Sequence, residues 1–145
     1  MADDPAGTAY DEKGPLGGLT PHIMVQNGSA AVDFYRRAFA AEEIFRSLAE
    51  DGKRLMHAHL RINGGSLMLH DWFEEYSGGA PAPPIGGVTL HLQVDNADAW
   101  FERATAAGAK VKFPIADQFW GDRYGVVEDP FGHSWSIATP LKASG

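Results

Sequence analysis

One stretch of this chain occurs twice. Thr20-Pro21-His22-Ile23-Met24-Val25-Gln26-Asn27 returns as Thr89-Leu90-His91-Leu92-Gln93-Val94-Asp95-Asn96, with Thr, His and Val in register 69 positions apart. An internal repeat constrains a fold more than composition does, because each copy has to build the same supersecondary unit. Both copies alternate apolar and polar residues, the period of a β-strand. Both then run into a helix with an Asx or Ser cap, Asn27-Gly28-Ser29 before AAVDFYRRAF and Asn96 before ADAWFERATAAG. Val32, Tyr35 and Phe39 share one helical stripe, as do Ala97, Phe101 and Ala104, and Gly108 stands where a helix would stop. Strand-like segments follow each helix, over 43–48, 54–62 and 66–70 in the first half and over 110–113, 124–128 and 133–139 in the second. Asn63-Gly64-Gly65 and Asp129-Pro130-Phe131-Gly132 read as the turns between the last two strands of each half. The pattern is β-α-β-β-β, twice.

One helix can cover only one face of a four-stranded sheet. Alternation assigns Ile23, Val25, Met56, Ala58, Leu60, Ile62, Leu67, Leu69, Val88, Leu90, Leu92, Val94, Trp135 and Ile137 to the helix side. The other side receives His22, Met24, His57, His59, Arg61, Met68, His70, His91, Gln93 and Ser136, so five of the six histidines share it. Residues 54–62, RLMHAHLRI, state the problem most sharply. Two histidines and an arginine alternate with apolar residues, and plain solvent does not call for them. If the halves curve together, this polar face lines a shared cleft, the usual kind of ligand site.

The length of 145 residues suits one domain with a sizeable core. Residues 1–18 read as a flexible tail, 19–140 as a single domain with modules at 19–72 and 88–140, and 77–87 as a linker or exposed loop. A formal net charge of −7 argues against nucleic acid as a partner and suits a cationic ligand. With no cysteine there is no disulfide, thiolate nucleophile or sulfur ligand of that kind. The acidic opening MADDPAGTAYDEKG lacks an apolar stretch and does not read as a signal peptide; no apolar run reaches membrane-spanning length, and a cytoplasmic protein is expected. No Walker loop, Rossmann glycine pattern or serine nucleophile elbow is present.

LTPHIMVQNGSAAVDFYRRAFAAEE, RLMHAHLRINGGSLMLHD and above all DQFWGDRYGVVEDPFGHSWSIAT resemble the vicinal oxygen chelate superfamily of glyoxalases, bleomycin-resistance proteins and dioxygenases, in its PhnB-like branch. The resemblance covers residues 19–140. It implies an α+β fold in which two βαβββ modules form a cupped mixed sheet, and it implies a homodimer. The superfamily's metal enzymes place a ligand on the first and last strand of each half. The matching positions here are Thr20, Met68, Thr89 and Ser136, none of them the imidazole or carboxylate that a divalent ion needs. The standard metal site is therefore expected to be absent, with no cofactor as the first expectation and a divalent metal as the alternative. His22, His70 and His91 each sit two residues beyond a vacant ligand position, which leaves a displaced site as a second arrangement.

His57 is the candidate acid/base, since imidazole titrates near neutral pH. His22, His59 and His91 are candidate substrate-binding residues of the pocket wall. Trp120 and Tyr124 are expected to stack on a ligand from a lip over the cleft, and Arg123 to hold an anion; a structural role for Arg123 in pairing a nearby acid weighs equally. Three functions stay open: a metal-independent small-molecule binder, a metal-dependent lyase, isomerase, epimerase or dioxygenase, and a homodimeric accessory domain.

Overall fold

The computed structural model describes residues 18–142. All but one residue of the expected tail, Gly18, falls outside them. The elements run β1 (His22–Val25), α1 (Gly28–Phe39), β2 (Glu42–Leu48), β3 (Leu55–Ile62), β4 (Gly65–Asp71), a 3₁₀ turn (Glu74–Tyr76), β5 (Thr89–Gln93), α2 (Ala97–Ala107), β6 (Lys110–Asp117), β7 (Asp122–Glu128) and β8 (Ser134–Pro140). The strands form two four-stranded sheets, ordered β1-β4-β3-β2 and β5-β8-β7-β6. In each sheet the first and last strands of the half pair in parallel and the other pairs are antiparallel. This is the βαβββ unit twice, as the repeat demands. The chain divides into two compact units, one of residues up to 36 with 40–82, the other of 37–39 with residues from 83 onward. Among the described residues no helix is long and apolar enough to cross a membrane.

The helices start where their caps dictate. Asn27 and Asn96 accept the amides of Ala30 and Ala99, at 3.2 and 3.1 Å. Gly108, with φ 124°, ends α2. The stripe residues Val32 and Tyr35 are fully buried, as is Ala104. On the sheets, Val25, Ala58, Leu60, Leu67 and Leu69 bury the helix side of the first unit, and Leu92, Val94, Val127, Trp135 and Ile137 that of the second. Each such Leu or Ile contributes about 2 kcal/mol by leaving water.

Three expectations are corrected by strand irregularities. Met56 does not face the helix: it is 43% exposed while Leu55 is fully buried. Its pairing explains why, since Ser47 opposes His57 and Leu48 opposes Leu55, so Met56 bulges out of the ladder and alternation resets at Leu55. Val88, also assigned to the helix side, lies before β5 and is 69% exposed. The strand expected at 110–113 runs on to Asp117 through Pro114, which is tolerated because β6 is the outermost strand of its sheet.

Candidate functional site

The open side of the first sheet carries the histidines. Its register sets His22 beside Met68 and Met24 beside His70, with His59 opposite Met68 on the next strand. The His22 ring centre lies 5.6 Å from that of His57 and 5.0 Å from that of His70, each pair nearly perpendicular. Partial burial, and then the charge of His70, hold the His22 pKa below its ordinary value of 6.5. His70 donates Nδ1–H to the Asp71 carbonyl at 2.7 Å, which orients its ring. His59 lies on the same side of the sheet, opposite Met68 and Phe45, but is fully buried, with Nε2 2.9 Å from the Ser66 hydroxyl. His57 is half-buried, 6.0 Å from the Phe45 ring.

Phe45 was not assigned to this face from sequence. β2 carries a bulge at Ile44, between the Glu43–Leu60 and Phe45–His59 pairs. The extra residue swings Phe45 to the histidine side and puts Glu43 and Arg46 together on the helix side, where they form a bidentate ion pair at 2.7 and 3.3 Å. The second unit repeats the device: Lys112 is an extra residue of β6, and Phe113 comes to oppose Val126, with a second shift between Phe113 and Ala116. Aromatic residues at matching points of the repeat, Phe45 and Phe113, were the one available signal.

The open side of the second sheet is organised around His91. Its Nδ1 lies 2.7 Å from the Ser136 hydroxyl and its Nε2 2.7 Å from Gln93 Oε1. A neutral imidazole satisfies both, accepting from Ser136 and donating to Gln93. Ser136 is 3% exposed, while His91 and Gln93 are exposed. The Tyr124 ring stacks on His91 at 6.4 Å and 23°, and Phe113 and Trp120 meet it edge-on at 6.1 and 5.2 Å. Trp120 sits in the hairpin turn before β7, beside a 96% exposed Phe119. The expected lip is therefore a β6–β7 hairpin turn.

Arg123 leaves this group. β7 begins at Asp122, so Arg123 and Tyr124 point to opposite faces of the sheet. Arg123 donates to Asp98 on α2 and to Asp117 on β6, at 2.7 and 2.9 Å. Glu128, at the end of β7, pairs with Lys112 at 3.0 Å. The structure thus gathers His22 with His57, and His91 with Tyr124 and Trp120, while His59 and Arg123 stand apart from both groups.

At the four positions where the resemblance would place metal ligands stand two threonines, a methionine and a serine, and Ser136 is committed to His91. Hydroxyls and one thioether do not make a site for Zn, Mn, Fe or Ni, so the standard metal does not fit these residues. Among the described residues no three His, Cys, Asp or Glu side chains gather around a common point.

Residues 19–137 match the family model "Glyoxalase/Bleomycin resistance protein/Dioxygenase superfamily". Uncharacterized proteins of Mycobacterium bovis and Mycobacterium tuberculosis are 50% identical over 128 residues, which span 86% of this chain and 84% and 75% of theirs. Among solved structures, TioX from Micromonospora sp. ML1 superposes with a TM-score of 0.68 at 30% identity, covering 86% of this chain and all of TioX. The fold also reaches a FosX fosfomycin resistance protein of Listeria monocytogenes solved with Mn(II) and a dihydroxypropylphosphonic acid, at a TM-score of 0.58, 19% identity and coverage of 85% of this chain and 90% of that one. A PhnB protein of Bacillus cereus has a TM-score of 0.62 at 18% identity, with 83% and 98% covered.

Proposed function

This chain belongs to the Glyoxalase/Bleomycin resistance protein/Dioxygenase superfamily, and we propose that within it the protein is a small-molecule-binding member of the PhnB-like branch that works without the standard metal. The observation that carries this reading is the bonding of His91. Where the superfamily's enzymes hold a metal ligand, Ser136 instead holds an imidazole, whose second nitrogen is held by Gln93. The result is a hydrogen-bonded polar floor beside the Tyr124, Trp120 and Phe113 rings. Rings of this kind supply apolar contact area at low entropic cost, and the floor supplies oriented hydrogen bonds. His57 and His22 belong to the same proposal on the first unit's open face, His57 as the group able to move a proton if a reaction accompanies binding. A homodimer in the cytoplasm is the proposed setting.

The test is a thermal-shift screen of small molecules against the whole protein, repeated with EDTA and with added Mn(II), Ni(II) and Zn(II). The expected result is ligand-dependent stabilisation that EDTA leaves intact, that Tyr124→Ala and His91→Ala each remove, and that proceeds without turnover. Stabilisation that requires one of those metals, or metal-dependent conversion of the bound compound, would overturn the reading. Sedimentation velocity tests the dimer.

A further inference from the structure

The first sheet ends in an open cleft that the histidine face does not use. β1 and β4 stop together at the Val25–Asp71 pair, and β3, beside β4, starts at Leu55. Gln26 and Trp72 follow the two strand ends, Asn27 caps α1, and Lys53 and Arg54 lead into β3; with Asp71 they line a cavity of about 440 Å³. Its walls are held from behind. Asp71 accepts the Asn27, Gly28 and Leu55 amides. Arg54 donates to Asp51 at 2.7 Å, to Glu75 at 2.6 and 3.2 Å and to the Trp72 carbonyl at 3.4 Å, and its guanidinium carbon sits 4.3 Å from the Phe73 ring centre. The half-buried Trp72 donates its indole Nε1–H to the Ala80 carbonyl at 2.9 Å. A cleft tied in this way is largely formed before a ligand arrives, and its volume lies within the roughly 300–1,000 Å³ of small-molecule sites.

The acids that build the cleft are already engaged, Asp71 by three amides and Asp51 and Glu75 by Arg54. What stays available is a set of donors. Among the described residues neither the exposed Lys53 ammonium nor the exposed Gln26 amide has a side-chain partner. Asn27 Oδ1 accepts the Ala30 amide, which leaves the NH₂ of that side chain to donate. We propose that this cleft binds a small aromatic carboxylate, held by the Lys53 ammonium with the Gln26 and Asn27 amides, its ring against the Trp72 indole. The available groups select this class. A carboxylate accepts from several donors at once, and its bond to an ammonium is charge-assisted. One available cation matches one negative charge; a phosphate dianion would bring a second to a chain of net charge −7. A cationic ligand would find no available carboxylate among the residues that line the cleft. The indole supplies apolar contact and a stacking face for a planar ring. The proposal goes beyond the small-molecule reading and uses none of its residues.

The experiment is a titration of the whole ¹⁵N-labelled protein with benzoate, read by NMR at constant ionic strength. The Trp72 indole signal, the Gln26 and Asn27 side-chain amides and the Lys53 backbone amide should move together and saturate in the millimolar range expected of so small a ligand. Benzamide, which keeps the ring and loses the charge, should bind more weakly, and so should acetate, which keeps the charge and loses the ring. Lys53→Gln should weaken benzoate by roughly fivefold or more, and Gln26→Glu, which sets a negative charge in the cleft, by at least as much. Both positions are exposed, so circular dichroism melts of these variants should match the parent. Lys112→Gln removes the same charge from β6 and should bind benzoate as the parent does. The assignment is overturned by any of four results: no saturable shift of those signals up to about 20 mM, benzamide or acetate binding as tightly as benzoate, undiminished binding by Lys53→Gln, or an equal loss in Lys112→Gln. Failure here leaves the thermal-shift result standing, since that result depends on Tyr124 and His91.

Discussion

Replacing Asp71 should cost this protein more than replacing any histidine discussed above. Its side chain is 3% exposed and accepts three backbone amides. Oδ1 takes Asn27 and Gly28 at 2.7 and 2.9 Å, and Oδ2 takes Gly28 and Leu55 at 2.9 and 2.7 Å. One carboxylate therefore ties the end of β4 to the start of α1 and the start of β3. Gly28 is obligatory there, because a Cβ would come within 2.7 Å of Oδ2 and 3.0 Å of Leu55. Asp71→Ala leaves three amides without their acceptor, at about 1–3 kcal/mol for each buried one. Water entering the vacated space recovers part of that, so the loss should be about 3–5 kcal/mol. In a chain of this size that is a fall of roughly 10–15 °C in Tm. Asp71→Asn keeps one acceptor oxygen and turns an NH₂ toward the remaining donors, so about half the loss is expected. Urea and thermal melts followed by circular dichroism measure both. Hydrogen exchange at Asn27, Gly28 and Leu55 should accelerate before the rest of the first sheet. A Tm for Asp71→Ala within about 3 °C of the parent, or exchange at those amides no faster than at β4, would refute the argument that this carboxylate closes the unit.

Gly125→Ala should be poorly tolerated, because a Cβ there would lie 2.7 Å from the Phe101 ring and 2.9 Å from the Ile115 backbone; a loss of about 2–3 kcal/mol in urea unfolding is expected, and no loss would show that β7 can shift away from α2. Arg123→Ala removes the bridges to Asp98 and Asp117, all at exposed positions, and should change stability by less than about 1 kcal/mol while leaving ligand stabilisation intact; lost ligand stabilisation would place Arg123 in the site after all. The lowered His22 pKa means that the unfolded chain takes up a proton more readily than the folded one. Stability from this group is therefore level above the unfolded value of 6.5 and declines as pH falls from there through the lower folded value. His22→Gln should flatten that part of the pH profile of the urea midpoint, and an unchanged slope would assign it to other groups. Backbone and side-chain bonds from Lys53 and Arg54 push the Asp51 pKa down to about 2; its carboxyl carbon shift should stay constant in an NMR titration down to pH 3.

The fold was legible because its signals are local and doubled. Strand alternation, the Asn27 and Asn96 caps and the Gly108 stop each depend on residues within one turn or one strand. The histidine face was legible for the same reason, since a period of two assigns His22, His57, His59 and His70 without any knowledge of pairing. What escaped depends on register. The bulges at Ile44, Met56 and Lys112, and the further shift between Phe113 and Ala116, are properties of two strands at once, and each reverses the faces of the residues beyond it. Arg123, left open between holding an anion and pairing a nearby acid, lies on a strand that starts two residues earlier than its apolar pattern suggests, and its acids, Asp98 and Asp117, come from other elements. The His91–Ser136 bond spans 45 positions through a parallel pairing that no local pattern encodes.

The two units also show which features a duplication fixes and which it frees. Where Asp71 accepts the first amides of α1, Thr139 at the matching point accepts the Ala97 amide at 2.7 Å and donates to the Val94 carbonyl at 2.9 Å. Both close the helix start onto the last strand, and the smaller threonine leaves room for a Cβ that Gly28 cannot carry. The bulge that presents Phe45 is likewise repeated at Phe113. These devices serve the backbone, and any loss would open the sheet. The histidines at positions 22 and 91 are matched too, yet their surroundings differ. Beside His91 stands a hydroxyl that can accept or donate, and the imidazole is held in one tautomer. Beside His22 stands Met68, whose thioether is at most a weak acceptor, so the ring leans on other imidazoles instead. One exchange, serine for methionine at the same point of the repeat, thus separates a hydrogen-bonding floor from a face of packed imidazoles and thioethers. The chemistry of each unit follows from the residue next to a histidine they share.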